Sequence, residues 1–359
     1  MEGSISNKLI NWYLVNKRDL PWRNTSDPYL IWVSEIILQQ TRVAQGMPYY
    51  YRFIEVFSSV AHLASAPQEQ VLKLWQGLGY YSRARNMHLA AKQIVEKYNG
   101  LFPDNFKELL KLKGVGEYTA AAVASLAYNE IVPVVDGNVI RVLSRIFGIE
   151  EPVDKSSVLK EIKFLATDII PAKNPALHNQ AIMEFGALQC VPLNPECNIC
   201  PVQENCLAFR YKKTDTIPFK KSKVKVKDRF FYYFIIHNNT HVYFQRRQSG
   251  DIWEGLFEFP LVETKSNILP ENIPSLAAEF LLPGVKYRIF GISESIKHIL
   301  THQKLFVCFI HINIENLSTK LPDGWLPVPS DKVRDLAVPR VIDRYMDSRD
   351  FNKHLFHHF

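Results

Sequence analysis

At 359 residues the chain is long enough for two domains, each burying a core of its own. Its formal net charge of +7 favours an acidic partner, nucleic acid ahead of a membrane surface, and no run has the length of a bilayer span. The N-terminus, Met1-Glu2-Gly3-Ser4-Ile5, lacks the layout of a secretory signal, so a reducing cytoplasm is expected and the five cysteines read as ligands or free thiols.

Apolar spacing of three and four predicts helices over Leu9 to Val15, Leu30 to Val43, Val71 to Trp75, Ala84 to Val95 and Ile182 to Leu188. The second reads as one helix begun near Asp27, with Pro28 at a favoured first position. On it Glu35 shares a face with Ile31, Trp32 and Leu38. A carboxylate among such groups loses solvation and its pKa rises, which is what a general acid working near neutral pH requires. Read from the residues alone, a Glu paired with a distant Arg is the commoner arrangement.

Further on, an apolar helix end runs into Lys113-Gly114-Val115-Gly116, and the Ala-rich Tyr118 to Ala122 follows at once. Such a turn lets the backbone come close to another molecule and aims the free N–H groups of the new helix at an anion, a DNA phosphate being the natural candidate. Asp136 precedes a helix patterned by Val139, Val142, Leu143 and Ile146.

Cys190, Cys197, Cys200 and Cys206 crowd one short stretch. Four thiols so close imply a metal, and their number alone fits a zinc site or an iron–sulfur cluster. Cys308, in an apolar strand, reads as a bystander. Residues 1–212 thus form a mostly helical domain, with 190–206 as its metal loop. Residues 213–228, carrying Lys213, Lys220, Lys221, Lys223, Lys225 and Lys227, read as a basic linker that tracks phosphates or is simply solvated.

The composition then changes. Arg229 to His237, His241 to Arg246, Tyr287 to Ile292 and Leu305 to Ile314 read as strands, with helices expected at Ile273 to Phe280 and Lys332 to Arg344. Residues 229–345 form a second domain, α+β or mostly β, and 346–359 a tail.

Several of these stretches resemble one family. Gly-Val-Gly followed by Asp136 resembles the helix-hairpin-helix, Gly/Pro-Asp superfamily of DNA glycosylases. Trp32-Val33-Ser34-Glu35, with Leu38-Gln39-Gln40-Thr41 after it, resembles the signature of its adenine glycosylases, the MutY type. The cysteine spacing resembles the 4Fe–4S loop of the endonuclease III and adenine glycosylase branches. The later domain is similar to the Nudix-like part of adenine glycosylases, through Trp253-Glu254-Gly255-Leu256-Phe257-Glu258-Phe259-Pro260. It lacks the clustered glutamates of a catalytic Nudix box.

The resemblance implies a helix-hairpin-helix glycosylase domain with a four-cysteine cluster loop, joined to an α+β Nudix-like domain used for recognition. It implies one 4Fe–4S cluster on Cys190, Cys197, Cys200 and Cys206, beside which Arg210, Lys212 and Lys213 would meet phosphates. Glu35 would protonate adenine at N7 and Asp136 would stabilise the oxocarbenium-like sugar, with Asn138 and Tyr118 in support. Where relatives that cut the strand carry a Lys, Tyr118 offers a phenol, so a monofunctional glycosylase is expected.

Trp22, Arg23 and Gln180 match the adenine pocket, and Gln40 and Tyr80 the residues that fill the gap left by an extruded base. Lys113, Gly114, Val115 and Gly116 form the phosphate-binding hairpin. Leu300-Thr301-His302 stands where the family reads 8-oxoguanine with Phe-Ser-His, so an aromatic is lost and a hydroxyl kept. Arg83 and Arg85 suit either phosphates or plain surface charge. The implied substrate is double-stranded DNA with A·8-oxoguanine or A·G mispairs, met by a monomer in a bacterial, nucleoid-associated cytoplasmic setting. The rivals are an endonuclease III-like glycosylase and lyase for oxidised pyrimidines, and a non-catalytic damage sensor on the same fold.

Overall fold

The computed structural model describes residues 4–220, 226–238, 240–281, 286–314 and 322–351. They divide into two compact units: Met1–Ser65 with Asn86–Ser222, and Ala66–Arg85 with Lys223–Phe359. The division differs from the sequence expectation in that residues 66–85 group with the later residues and the expected linker 213–228 is shared between the units at 222/223. Lys73 Nζ donates to the carbonyls of Arg334 and Leu336 at 2.5 and 3.0 Å, and Gln76 Nε2 to Asp343 at 2.6 Å. Of the linker lysines, Lys221, Lys223 and Lys225 lie outside the described residues, as do His354, His357 and His358 of the tail.

The first unit is helical. In chain order its elements are α1 (Ile5–Asn16), α2 (Pro28–Leu38), α3 (Val43–Val56) and α4 (Val60–Ser65). After α5 (Gln68–Leu74), which belongs to the second unit, α6 (Ser82–Tyr98) brings the chain back. Then come α7 (Phe106–Leu109), α8 (Glu117–Tyr128), α9 (Gly137–Phe147), α10 (Ser156–Ile169), α11 (Pro175–Leu188) and α12 (Leu207–Arg210).

One core joins Leu9 and Tyr13 of α1 to Val142 and Ile146 of α9, Ile162 of α10 and Phe185 of α11. On α2 every residue from Ile31 to Ile37 is buried, the mark of a helix enclosed on all sides. That enclosure is what takes Glu35 out of water. Leu30 to Val43 is not the single helix expected: α2 ends at Leu38, and Gln40 turns left-handed at φ 55° before α3 begins. The apolar spacing carries on through the corner, so periodicity alone does not register the break.

The second unit adds β1 (Lys227–His237), β2 (His241–Arg246), β3 (Phe257–Glu258), β4 (Leu261–Thr264), α13 (Ile273–Phe280), β5 (Tyr287–Ile292), β6 (Ile296–Ile299), β7 (Gln303–Ile314), β8 (Trp325–Pro329) and α14 (Arg340–Met346). One sheet runs β3-β2-β1-β7-β5, with β4 on β1, β6 on β7 and β8 on β2. β1 and β7 are parallel, Phe231 opposite Val307, and the other pairs are antiparallel.

Side-chain alternation explains why the middle of each central strand, 230–236 of β1 and 305–310 of β7, is apolar on both faces. Phe231, Tyr233 and Phe309 pack with Val341 and Tyr345 of α14, whereas Tyr232, Phe234 and Ile310 pack with Ile273 and Ala277 of α13. The helix expected over Lys332 to Arg344 is two pieces, a 3-10 turn at Ser330–Asp335 and then α14, which starts only after Pro339. A proline cannot continue the hydrogen-bonded ladder of a preceding turn. Among the described residues no helix is long and apolar enough to cross a membrane.

Candidate active site

Glu35, on the enclosed α2, opens onto a cavity of about 600 Å³ in the first unit. Asp136, Asn138, Tyr118, Trp22, Arg23 and Gln180 line the same cavity. Seven side chains named from the sequence therefore meet in one place, delivered by α2, α8, α9, α11 and the 3-10 turn Pro21–Arg23.

The two carboxyls are held differently. Glu35 accepts the Tyr118 hydroxyl at 2.5 Å, and its pKa is pushed up to about 7. Burial is the main cause and the negative charge of Asp136 adds to it, while Tyr118 and Arg23 pull the other way. Asp136 caps α9: Oδ1 accepts the Val139 N–H at 2.7 Å and Oδ2 accepts Asn138 Nδ2 at 2.8 Å. Burial raises Asp136 too, but those donors and the positive Arg141 work against it. Both carboxyls are raised by burial, Glu35 to about 7, while Asp136 alone has donors on both oxygens.

Behind them stand groups that sequence reasoning missed. Arg141 Nη2 donates to Asn138 Oδ1 at 2.9 Å and to the Gly186 carbonyl at 2.6 Å, and its Nε to the Cys190 carbonyl at 2.8 Å. Glu184 is gripped by both Arg18 and Arg23, each donating to both of its oxygens. Burial alone would raise the Glu184 carboxyl, yet these bonds hold it down at about 2. No local spacing pairs Arg18 or Arg23 with a residue so far along the chain, so the sequence carried no signal for the clamp. Gln180 receives the Tyr13 hydroxyl on Oε1 at 2.6 Å.

The four cysteines line a separate small cavity in the first unit. Arg145 Nη1 donates to Cys190 Sγ at 3.4 Å, and the backbone N–H groups of Val202, Ala208 and Phe209 point at Cys200 and Cys206. Donors aimed at sulfur suit thiolate ligands of an iron–sulfur cluster. Among the described residues no three His, Cys, Asp or Glu side chains converge as a single ion would need. Four thiols lining one cavity, with donors on their sulfurs, suit a bound metal centre.

The hairpin lies outside the cavity that Glu35 and Asp136 line. Gly114 is left-handed at φ 73°, and a Cβ there would sit 2.5 Å from Asn86 Cβ, so the turn is packed too closely for any side chain. Gly116 caps α8 without a side-chain hydrogen bond. Gln40 is exposed and lines none of these cavities.

In the second unit Tyr80, Leu300, Thr301 and His302 line a cavity of about 400 Å³ together with Trp253. Leu300 to His302 form the tip between β6 and β7. Tyr80 is left-handed at φ 47°, a strained state for a ring-bearing residue, and half exposed. The Arg83 guanidinium stacks on Trp75, 5.2 Å from the ring centre, and Arg85 binds the Glu254 carbonyl at 2.6 Å, so both serve this unit's own packing.

Residues 33–166 match the HhH-GPD superfamily of base excision DNA repair proteins, and residues 232–348 match the NUDIX domain. The chain is 37% identical over 347 residues to the adenine DNA glycosylase of Buchnera aphidicola subsp. Schizaphis graminum, covering 95% of this chain and 97% of that one. It is 35% identical over 312 residues to the adenine DNA glycosylase of Buchnera aphidicola subsp. Baizongia pistaciae, covering 86% of each. Among solved structures, a thermostable thymine-DNA glycosylase matches 57% of this chain and 95% of its own, with a TM-score of 0.53 and 29% identity.

Proposed function

Because the chain belongs to the adenine DNA glycosylase family, within the HhH-GPD superfamily of base excision repair proteins, we propose that it removes adenine mispaired with 8-oxoguanine or guanine by acid-assisted hydrolysis, leaving the strand uncut. The observation that carries this reading is one cavity holding a buried carboxyl poised near pH 7 beside a second carboxyl braced by donors.

The extruded base enters that cavity with Trp22, Arg23 and Gln180 around it. Glu35 gives its proton to adenine N7, and the C1′–N9 bond breaks with its electron pair leaving on the base. Asp136 opposes the positive charge left on the sugar, and water then adds at C1′ while its proton returns to solvent. Asn138 and Tyr118 keep the two carboxyls in place. No lysine lines the cavity among the described residues, and the Tyr118 phenol cannot form a Schiff base with the sugar. This supports a monofunctional enzyme over the lyase rival.

Cys190, Cys197, Cys200 and Cys206 would hold one 4Fe–4S cluster, which when bound would supply a structural tie for the loop of residues 190–206. Lys113 to Gly116 meet phosphate, and Tyr80 and Gln40 fill the gap left by the base. In the second unit Thr301, with Leu300 and His302 beside it, reads the opposite lesion through its hydroxyl.

Single-turnover release of adenine from an A·8-oxoguanine duplex tests the reading. Wild type should release the base, and Glu35→Gln should bind the duplex without releasing it. A wild-type protein that binds and releases nothing would give the sensor reading its place.

A further inference from the structure

We propose that Tyr13 sets the base specificity of this site by locking the side-chain amide of Gln180 in one orientation. The proposal rests on the adenine pocket put forward above and deepens it.

A glutamine amide has two faces of opposite character, a carbonyl that accepts and an NH2 that donates, and a half-turn about its last bond exchanges them. In a pocket able to make that turn, Gln180 would suit two kinds of base edge. Adenine at its 6-amino and N1 positions presents donor then acceptor. Hypoxanthine, with a 6-oxo group and an N1–H, presents the reverse, as guanine does at the same two positions. A freely turning amide therefore pairs with either, and only a fixed one discriminates.

Tyr13 supplies the fixation. It sits on α1, 1% exposed, in the core that α1 shares with α9 and α11. Its hydroxyl donates to Gln180 Oε1 at 2.6 Å. Turning the amide over would bring NH2 against the phenol and leave the Tyr13 proton without that acceptor in a buried place, an unfavourable exchange. Burial also raises the phenol pKa, so the hydroxyl keeps its proton at working pH. The Arg23 guanidinium lies 5.6 Å from the Tyr13 ring centre, and Arg23 is itself fixed by Glu184. With Oε1 held, a base that offered its 6-amino group to the second lone pair would bring N1 to the NH2. A 6-oxo purine meets carbonyl against carbonyl and N–H against N–H.

Tyr13 acts through Gln180 and is a positioning residue, so the readout is a ratio of substrates rather than a rate. Single-turnover release is measured for adenine and for hypoxanthine opposite 8-oxoguanine, in wild type, Tyr13→Phe and Gln180→Ala. Tyr13→Phe keeps the ring and deletes one oxygen, and a thermal melt reports that the core holds. The expected result is an adenine-to-hypoxanthine ratio about tenfold lower in Tyr13→Phe, the size of one good paired contact. A ratio within twofold of wild type in Tyr13→Phe, but collapsed in Gln180→Ala, overturns the lock and leaves the pocket standing. A ratio unchanged in both variants overturns the pocket assignment and the lock with it. A Tyr13→Phe protein that slows on both bases equally has lost packing alone, which also overturns the lock.

Discussion

The hydroxyl of Tyr80 shares a hydrogen bond with the hydroxyl of Thr301. The first comes from the turn before α6 and the second from the tip between β6 and β7, so the residue proposed to fill the gap in the stack touches the one proposed to read the lesion. Thr301→Val keeps the shape and removes the hydroxyl, and it should lower the preference for A·8-oxoguanine over A·G by about tenfold, the worth of one hydrogen bond. Excision rates on the two duplexes check this. An unchanged ratio would separate the loop from lesion reading.

The rate of base release should fall as pH climbs through about 7, because only the protonated Glu35 is an acid. Stability follows the same proton. Its pKa is raised from 4.5 to about 7 on folding, so the folded chain binds the proton more tightly than the unfolded one. The stabilisation is full below about 4.5, declines as pH rises from there, and is gone above about 7. Glu35→Gln removes the buried charge at pH 8 and should there be more stable than wild type, by about 2 kcal/mol, while inactive. Denaturant melts of both proteins at pH 5 and pH 8 test the sign, and an equal difference at the two pH values would contradict it.

Gly186 is where α11 meets the start of α9. A Cβ there would lie 2.7 Å from Asn138 Cβ and 3.0 Å from its carbonyl oxygen. Gly186→Ala must displace Asn138, and Asp136 with it through their 2.8 Å hydrogen bond. Release should slow by roughly a hundredfold, the effect of misplacing a reacting group by about 1 Å. Helix propensity acts in the opposite direction, so the loss of stability should stay within about 2 kcal/mol. Calorimetry and single-turnover rates separate the two effects.

Arg145 is 2% exposed and donates to the carbonyls of Val191, Pro192 and Ile217 as well as to Cys190 Sγ. Arg145→Met strips those acceptors of their partner and should cost about 3 kcal/mol. It should also lower the iron recovered with the purified protein. Full iron content with wild-type stability would show that the loop of residues 190–206 needs no such brace.

Much of the site was legible through short motifs that resemble the family's, and beside them a few signals were local. Pro28 and the apolar neighbours of Glu35 announced a helix and a desolvated acid within a few residues. Asp136 lay just where a helix had to begin, and it caps that helix. The Arg18–Arg23–Glu184 clamp and the Tyr13–Gln180 bond were invisible for the opposite reason, since each joins residues that only the fold brings together. The break at Gln40 and the split at Pro339 escaped for a third: apolar periodicity continues across both, while a single backbone angle or a missing N–H decides the matter. β6 and β8 are partly exposed edge segments without the long apolar run that marked β1 and β7.

The segment Ala66–Arg85 is translated between the two stretches of the first unit and belongs to the second. On the ribosome it emerges long before Glu254, Arg334, Leu336 and Asp343, the residues that bind Arg85, Lys73 and Gln76. A nascent chain arrested at the lysine-rich stretch would present the Tyr80 turn with none of those anchors, so the turn acquires its final shape only once synthesis of the sheet is finished.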